Sequence, residues 1–265
     1  MNKGFVVIAQ NTKNVDYIYC AEILANSIKN VMPNASVTLV TDDVDNSKYF
    51  DYTVALPHGD LAKESDWKLI NDWQVYEASP YDHTIKLEAD MYMPTNIEFW
   101  WEILTQKDVV VCSTIRDFRN NVSENLFYRN FIVNNNLPNV YNAITYFNKS
   151  NFSEKFFKTV RHCFENWELY KPLLKCDPNQ EATTDWVYAI ACLIHGIENT
   201  TLPNFRSFSM IHMKQYINEL MSDDWTNELI YEINPKCLRV NTYPQLYPFH
   251  YHIKNFSCKI SNELT

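Results

Sequence analysis

Glycine is almost missing: Gly4, Gly59 and Gly196 are the three in 265 residues. A Walker phosphate loop needs a pair of glycines at fixed spacing and a dinucleotide fingerprint about three. Neither can be written with these positions. A nucleotide bound by this chain would have its phosphates held by another device, and a metal ion is the obvious candidate. C-x-x-C pairs are missing as well. The seven cysteines, at 20, 112, 163, 176, 192, 237 and 258, are scattered and odd in number, which argues against a disulfide framework and a structural zinc site. No apolar run approaches the roughly 18 residues that cross a membrane. The opening "MNKGFVVIAQNTKN" lacks a long apolar region and a small-residue cleavage site, so no signal peptide is expected and the cytoplasm is the expected location.

What is present is a chain able to bury a core, with 46% hydrophobic and 15% aromatic residues. Its net charge of −9 argues against a non-specific nucleic-acid coat protein. The charge is uneven: Cys112 to Lys175 holds nine Lys/Arg against five Asp/Glu, a local +4 that leaves −13 elsewhere. That segment is either ordinary surface variation or a basic face for an anionic acceptor. Neither an internal repeat nor a flexible linker interrupts the chain, and a single domain over 1–265 is expected.

Strand and helix signals alternate in the first half. Residues 4–10, 36–43, 52–57, 83–90 and 108–114 are apolar runs of strand type. Ile18, Ala21, Leu24, Ile28 and Val31 recur at helical spacing. Residues 61–80 read as a helix stopped by Pro80, and Thr95 with Glu98 has capping-box spacing before the stripe Ile97, Trp101 and Leu104. Further on, 141–150 reads as a strand, 152–170 as an amphipathic helix, and 183–196 as a helix capped by threonine and stopped at Gly196. The alternation predicts an α/β fold with a mainly parallel central sheet covered on both faces. The tail, rich in Pro, Tyr and His, is expected to fold back, with 216–265 an extension over the site.

The strand "HTIKLEADMYMP" ends in two acids. Side chains alternate along a strand, so Lys86, Glu88 and Asp90 share one face, opposite Ile85, Leu87 and Ala89. Ligands of open α/β sheets bind outside the carboxyl ends of strands. Clustered carboxylates repel unless a cation sits between them, and hard divalent cations bridge carboxylates to phosphates. The alternative is a solvated strand end. His250 and His252 in "FHYHI" are further ligand candidates, although packing of an aromatic tail explains them equally well.

The chain resembles the nucleotide-sugar glycosyltransferases of the GT-A fold, a Rossmann-like single domain whose signature is a D-x-D at a strand end; here Glu88 replaces the first acid. The glycogenin-like branch offers further matches in order: "FVVIAQNTKNVDYIYCAEILANSIK", "SDWKLINDW", "VYNAITYFNKS", "TTDWVYA" and "MIHMK", spread over residues 4–215. The "KLEADM" motif with the Trp/Lys segment looks most like GT-A-type proteins of tailed bacteriophages. The resemblance implies Asp90 as principal metal ligand, Glu88 assisting directly or through water, and His212 as third ligand, an imidazole that favours Mn²⁺ over Mg²⁺. It implies Lys214 at the leaving diphosphate, Asn11, Thr12 and Lys68 at the nucleoside of a UDP-sugar, and Asn142 and Asp185 at the donor sugar or acceptor. No glycine follows His212 as it does in that branch, so the phosphate loop differs.

The branch also implies retention of configuration. An inverting enzyme would need a general base, for which Asp185 is the candidate, although that residue could equally cap its helix. Arg116, Arg119 and Arg129, interleaved with Phe118, Phe127, Tyr128 and Phe131, suit stacking on bases beside phosphates. With the phage likeness they point to double-stranded DNA carrying hydroxymethylated cytosine, flipped out of the stack, as acceptor and to glucose or arabinose as sugar. A glycan or protein acceptor, and a non-catalytic virion binding module, are the alternatives.

Overall fold

The computed structural model describes residues 2–43, 48–63, 65–234 and 237–264, with the side chains of 261–264 left aside. Its strands are β1 (Lys3–Ile8), β2 (Val37–Thr41), β3 (Tyr52–Ala55), β4 (His83–Glu88), β5 (Met91–Tyr92), β6 (Val109–Cys112), β7 (Ile115–Arg116), β8 (Val122–Ser123), β9 (Tyr141–Asn148), β10 (Met210–His212), β11 (Tyr231–Asn234), β12 (Cys237–Val240), β13 (Tyr243–Pro244) and β14 (Phe249–His250). The longer helices are α1 (Tyr17–Val31), α2 (Asn151–Glu165), α3 (Thr184–His195) and α4 (Phe256–Leu264).

The central sheet runs β3-β2-β1-β4-β9-β6. Strands β1 to β4 are mutually parallel, while β9 is antiparallel to both β4 and β6. The expected mainly parallel sheet is therefore present, with one reversed strand inside it. Alternation along each strand feeds two cores. Phe5, Val7, Leu39, Ile85 and Leu87 face α1, meeting Leu24, Ile28 and Trp100. Val6, Val40, Val111 and Phe147 face α2 and α3, meeting Phe156, Val160 and Tyr188. The starts of α1, α2 and α3 are each fixed by a side chain accepting a backbone N–H: Asp16 from Tyr19, Ser150 from Ser153, and Thr183 from Trp186. Gly196, at φ +91°, ends α3 as its position predicts.

Two local expectations change. Residues 61–80 form turns, a 3₁₀ helix (Lys68–Gln74) and one α-turn (Val75–Ala78), because Asp60 and Asn71 draw hydrogen bonds from Ala62 and Leu61 that compete with a continuous helix. The Thr95–Glu98 capping box does not form. Asn96 Oδ1 accepts the Glu98 N–H instead, and the helix begins at Trp100.

The order β3-β2-β1-β4 reverses direction between β1 and β4, which opens a crevice at their carboxyl ends. A second sheet, β5-β14-β10-β7-β8, lies beside that crevice. It is built from strands of two or three residues, and it carries the tail onto the end of β4. The third sheet, β11-β12-β13, is antiparallel. Trp225, Phe249, Tyr251 and Phe256 bury the tail against Ile23 of α1. Among the described residues, no helix is long and apolar enough to cross a membrane.

Near the start of β1, a Cβ added at Gly4 would lie 2.4 Å from the Tyr81 ring, and Tyr81 is held there by a hydrogen bond from Thr38 of 2.8 Å. Gly4→Ala is expected to destabilise the fold by about 1–3 kcal/mol through overpacking. Thermal melts followed by circular dichroism read the effect, and an unchanged midpoint would contradict this packing.

Candidate active site

The end of β4 is where strand register brings the chemistry together. Glu88 closes the strand, and Asp90 lies in the turn before β5. Strand β14 sits between β5 and β10, pairing His250 with Met91 on one side and with His212 on the other. His250 is thereby placed between the acids and His212. Its Nε2 is 3.3 Å from a Glu88 oxygen and 3.2 Å from an Asp90 oxygen. Lys254 completes the group through an ion pair with Asp90. His252, with φ +60°, turns its ring back so that Nε2 lies 3.2 Å from His212 Nδ1.

Asp90 is 5% exposed. Burial by itself would raise its pKa, but the interactions with His250 and Lys254 outweigh burial and hold the carboxyl well below its usual range. Glu88 goes the other way: burial raises it, and His250 and Lys86 offset only part of that. Lys254 is raised, because the attraction of Asp90 exceeds the cost of burial. His212 and His252 are held well below the usual imidazole range by burial, then by charges on neighbouring groups. Glu88, Asp90 and His250 offer two carboxylate oxygens and one imidazole nitrogen within 4.8 Å of one another.

Two cavities meet at Glu88, His250 and His252. One, of about 460 Å³, follows the carboxyl end of β1 and is lined by Gln10, Thr12, Trp67, Lys68, Asp90 and Lys254 among others. The other, of about 450 Å³, is lined by Tyr128, Arg129, Asp185, Trp186, His212 and Lys214 among others. Beneath them, Lys86 is 1% exposed and pairs with Asp72 at 2.7 Å, while Tyr188 donates to the other Asp72 oxygen at 2.7 Å.

The sequence candidates separate accordingly. Glu88, Asp90, His212, His250 and His252 come together, with His250 the histidine that reaches both acids. Thr12 and Lys68 line the first cavity, although Lys68 is held by Asp60 at 2.5 Å. Asn11 uses its side-chain oxygen to accept the Ile18 N–H at the start of α1. Asn142 is completely buried and lines neither cavity; its backbone N–H donates to Asp185 at 2.8 Å. The other Asp185 oxygen takes Arg129, so both of its oxygens are engaged. Arg129 is buried, and it also donates to Asn139 and to the Val140 carbonyl. Arg116 donates to Ser209 and to the carbonyls of Asn120 and Arg206, and Arg119 lies 3.6 Å from Asp117. Arg129 and Arg116 are thus engaged in internal contacts, while Arg119 keeps 35% of its side chain exposed. Lys214 lies on the second cavity, away from the cavity of Asp90 and Lys254. Lys254, Trp67 and Gln10 were given no role by the sequence, although Gln10 and Trp67 lie in segments that match the glycogenin-like branch, and His250, His252 and Lys254 recur at the strand spacing that marks Glu88 and Asp90.

No protein-family model matches the chain, and no curated protein does. Solved structures do resemble it. The apo form of the glycosyltransferase GlyE from Streptococcus pneumoniae TIGR4 overlaps 78% of this chain and 46% of its own length at 13% identity, TM-score 0.44. GlyE is one of several neighbours that are glycosyltransferases. A galactosyltransferase, LgtC, in complex with donor and acceptor sugar analogues, overlaps 66% of this chain and 67% of its own at 13% identity, TM-score 0.44. Mouse xyloside xylosyltransferase 1, in apo form, overlaps 76% and 84% at 10% identity, TM-score 0.46. This chain thus spans less than half the length of GlyE, and what each neighbour binds or transfers is a property of that protein.

Proposed function

We propose that this chain transfers a glycosyl group from a nucleotide sugar, with UDP as the carrier, to a hydroxyl acceptor, with a divalent cation held by Glu88, Asp90 and His250. The observation that carries the reading is the convergence of those three groups at the junction of two cavities. The donor set fits such an ion: two carboxylate oxygens suit a hard cation, and one imidazole favours Mn²⁺ over Mg²⁺. Asp90, ionised although buried, already selects for positive charge. When bound, the ion would stabilise charge on a leaving diphosphate, an effect of several kcal/mol.

The chain's own residues divide the remaining work. Gln10, Thr12 and Lys68 offer polar groups to the nucleoside, and Trp67, 38% exposed on the same cavity, offers a ring for the base. Lys254 adds a point charge where the diphosphate would lie. The cavity of Tyr128, Trp186, Asp185 and Lys214 receives the acceptor. Asp185, with both oxygens engaged, orients Arg129 and the backbone of Asn142 and is not a free general base. Hydroxymethylated DNA draws no support from Arg116, Arg119 or Arg129, so a glycan or protein hydroxyl is the acceptor class proposed.

The test is turnover of a UDP-sugar panel that includes glucose, galactose, xylose and arabinose donors, with Mn²⁺ and with glycan, peptide or hydroxymethylcytosine DNA acceptors. Release of UDP from at least one donor, stopped by a chelator, is expected. No release from any donor with Mn²⁺ or Mg²⁺ would remove the transferase reading. Sugar added to the DNA alone would overturn the acceptor class.

A further inference from the structure

The carboxylates account for only one nitrogen of the histidine cluster. His212, His250 and His252 form a second group whose ligand atoms all lie within 4.8 Å of one another. We infer that these three imidazoles form a separate, nitrogen-only metal site that takes Zn²⁺, faces the Tyr128–Asp185 cavity, and excludes Mn²⁺ from the acidic site because a neutral His250, which belongs to both, has only one ring lone pair to give.

The separation supports this. Two nitrogens bound to one tetrahedral zinc, each at about 2.0–2.1 Å, stand about 3.3 Å apart. His212 Nδ1 and His252 Nε2 stand 3.2 Å apart. His250 supplies a second observation: it is 4% exposed, and its Nδ1 is buried with no hydrogen-bond partner among the described residues, while its Nε2 faces the acids. A buried polar atom without a partner is costly, and ligation removes that cost. The backbone gives a third. His252 occupies the left-handed region at φ +60°, uncommon for a residue other than glycine, and this turn brings its ring to 4.5 Å from that of His212 and 3.9 Å from that of His250.

The surroundings are compatible with a cation. An imidazole binds a metal through the lone pair of its neutral form, and the three rings offer one nitrogen each within 4.8 Å. Lys214 and Arg129 oppose a positive ion beside His212, Arg129 although it is paired with Asp185, and the Asp90 charge acts on both His212 and His252 in the opposite sense. Tyr141 packs edge-on to His212 with centroids 5.5 Å apart, and Tyr128 lies parallel at 6.0 Å. The fourth position would open to the cavity, where water or an acceptor oxygen fits. Three imidazoles suit Zn²⁺ or Co²⁺, whereas two carboxylates and one imidazole suit Mn²⁺.

Binding tests this without reference to turnover. Purified, metal-stripped protein is titrated with Zn²⁺ by calorimetry and with Co²⁺ by visible absorption, and bound Mn²⁺ is followed by electron paramagnetic resonance. One Zn²⁺ per chain is expected, with a Co²⁺ spectrum of tetrahedral intensity and release of Mn²⁺ as Zn²⁺ is added. In His212→Ala and in His252→Ala, checked as folded by circular dichroism, Zn²⁺ affinity is expected to fall by at least about 100-fold, above the range for losing an outer contact, with Mn²⁺ affinity retained. Asp90→Asn is expected to lose Mn²⁺ and keep Zn²⁺. Unchanged Zn²⁺ affinity in both histidine variants, loss of Zn²⁺ in Asp90→Asn, or simultaneous binding of both metals would overturn the inference. Absence of UDP-sugar turnover would leave the expected binding pattern untouched.

Discussion

Asp90→Ala is expected to abolish Mn²⁺ binding and to lower donor turnover by about 10³-fold, the factor equivalent to about 4 kcal/mol of transition-state stabilisation withdrawn with the ion. The size follows from the place of Asp90 in the site. Its carboxyl is held well below the usual range, it lies 3.2 Å from His250, and it is 5% exposed on the wall of the first cavity. Glu88 cannot replace it, because its pKa is raised and it provides one side of the site only. The substitution should leave the fold intact. Lys254, which loses its partner, keeps 28% of its side chain exposed and can turn to solvent. The checks are UDP release and a thermal melt on the same sample. Turnover at the wild-type level with Mn²⁺ present would show that Asp90 holds no catalytic ion.

Lys86→Met is expected to act on stability, at about 3–5 kcal/mol, because it leaves the Asp72 carboxylate buried without its cation. Tyr188 would remain as a hydrogen-bond donor to Asp72, which does not neutralise its charge. Against a typical total of about 5–15 kcal/mol, the loss is large enough to shift a denaturation midpoint clearly. The double substitution Lys86→Met with Asp72→Asn is expected to recover most of it, since removing both charges removes the desolvation cost of each. A single substitution that is neutral in denaturant melts would mean that the 2.7 Å pair carries no weight. Because Lys86 lies on the face of β4 that ends in Glu88, the pair also serves as the floor of the site, and its loss should loosen both cavities.

The parts of this arrangement that were legible in the sequence are those written in local periodicity. Alternation in "TIKLEAD" placed Lys86 and Glu88 on one face and Ile85 and Leu87 on the other; Ile85 and Leu87 enter the core against α1, while Lys86 pairs with Asp72 and Glu88 lines the cavities. Helical spacing located α1, and the threonine and glycine at its ends located α3. Pairings between distant short strands were not legible. Phe249–His250 is too short to show a period, so nothing local indicated that His250 would sit between Met91 and His212. The turn at His252 breaks strand parity by a positive φ that no glycine announces. The reversed strand β9 reads like any buried strand, because direction leaves no mark on an apolar run. The arginines were legible as charge but not as contacts: Arg129 lies in a buried pair with Asp185, 56 positions away, and a charge count cannot distinguish that from a surface cation.

The most direct measurement is anomalous scattering from crystals grown with Mn²⁺ and UDP. The account predicts one manganese peak held by Glu88, Asp90 and His250, with UDP along the carboxyl end of β1 and Lys254 released from Asp90 toward the diphosphate. A crystal saturated with Mn²⁺ in which the Lys254–Asp90 pair remains closed and manganese is absent from that position, or bound elsewhere, would contradict it.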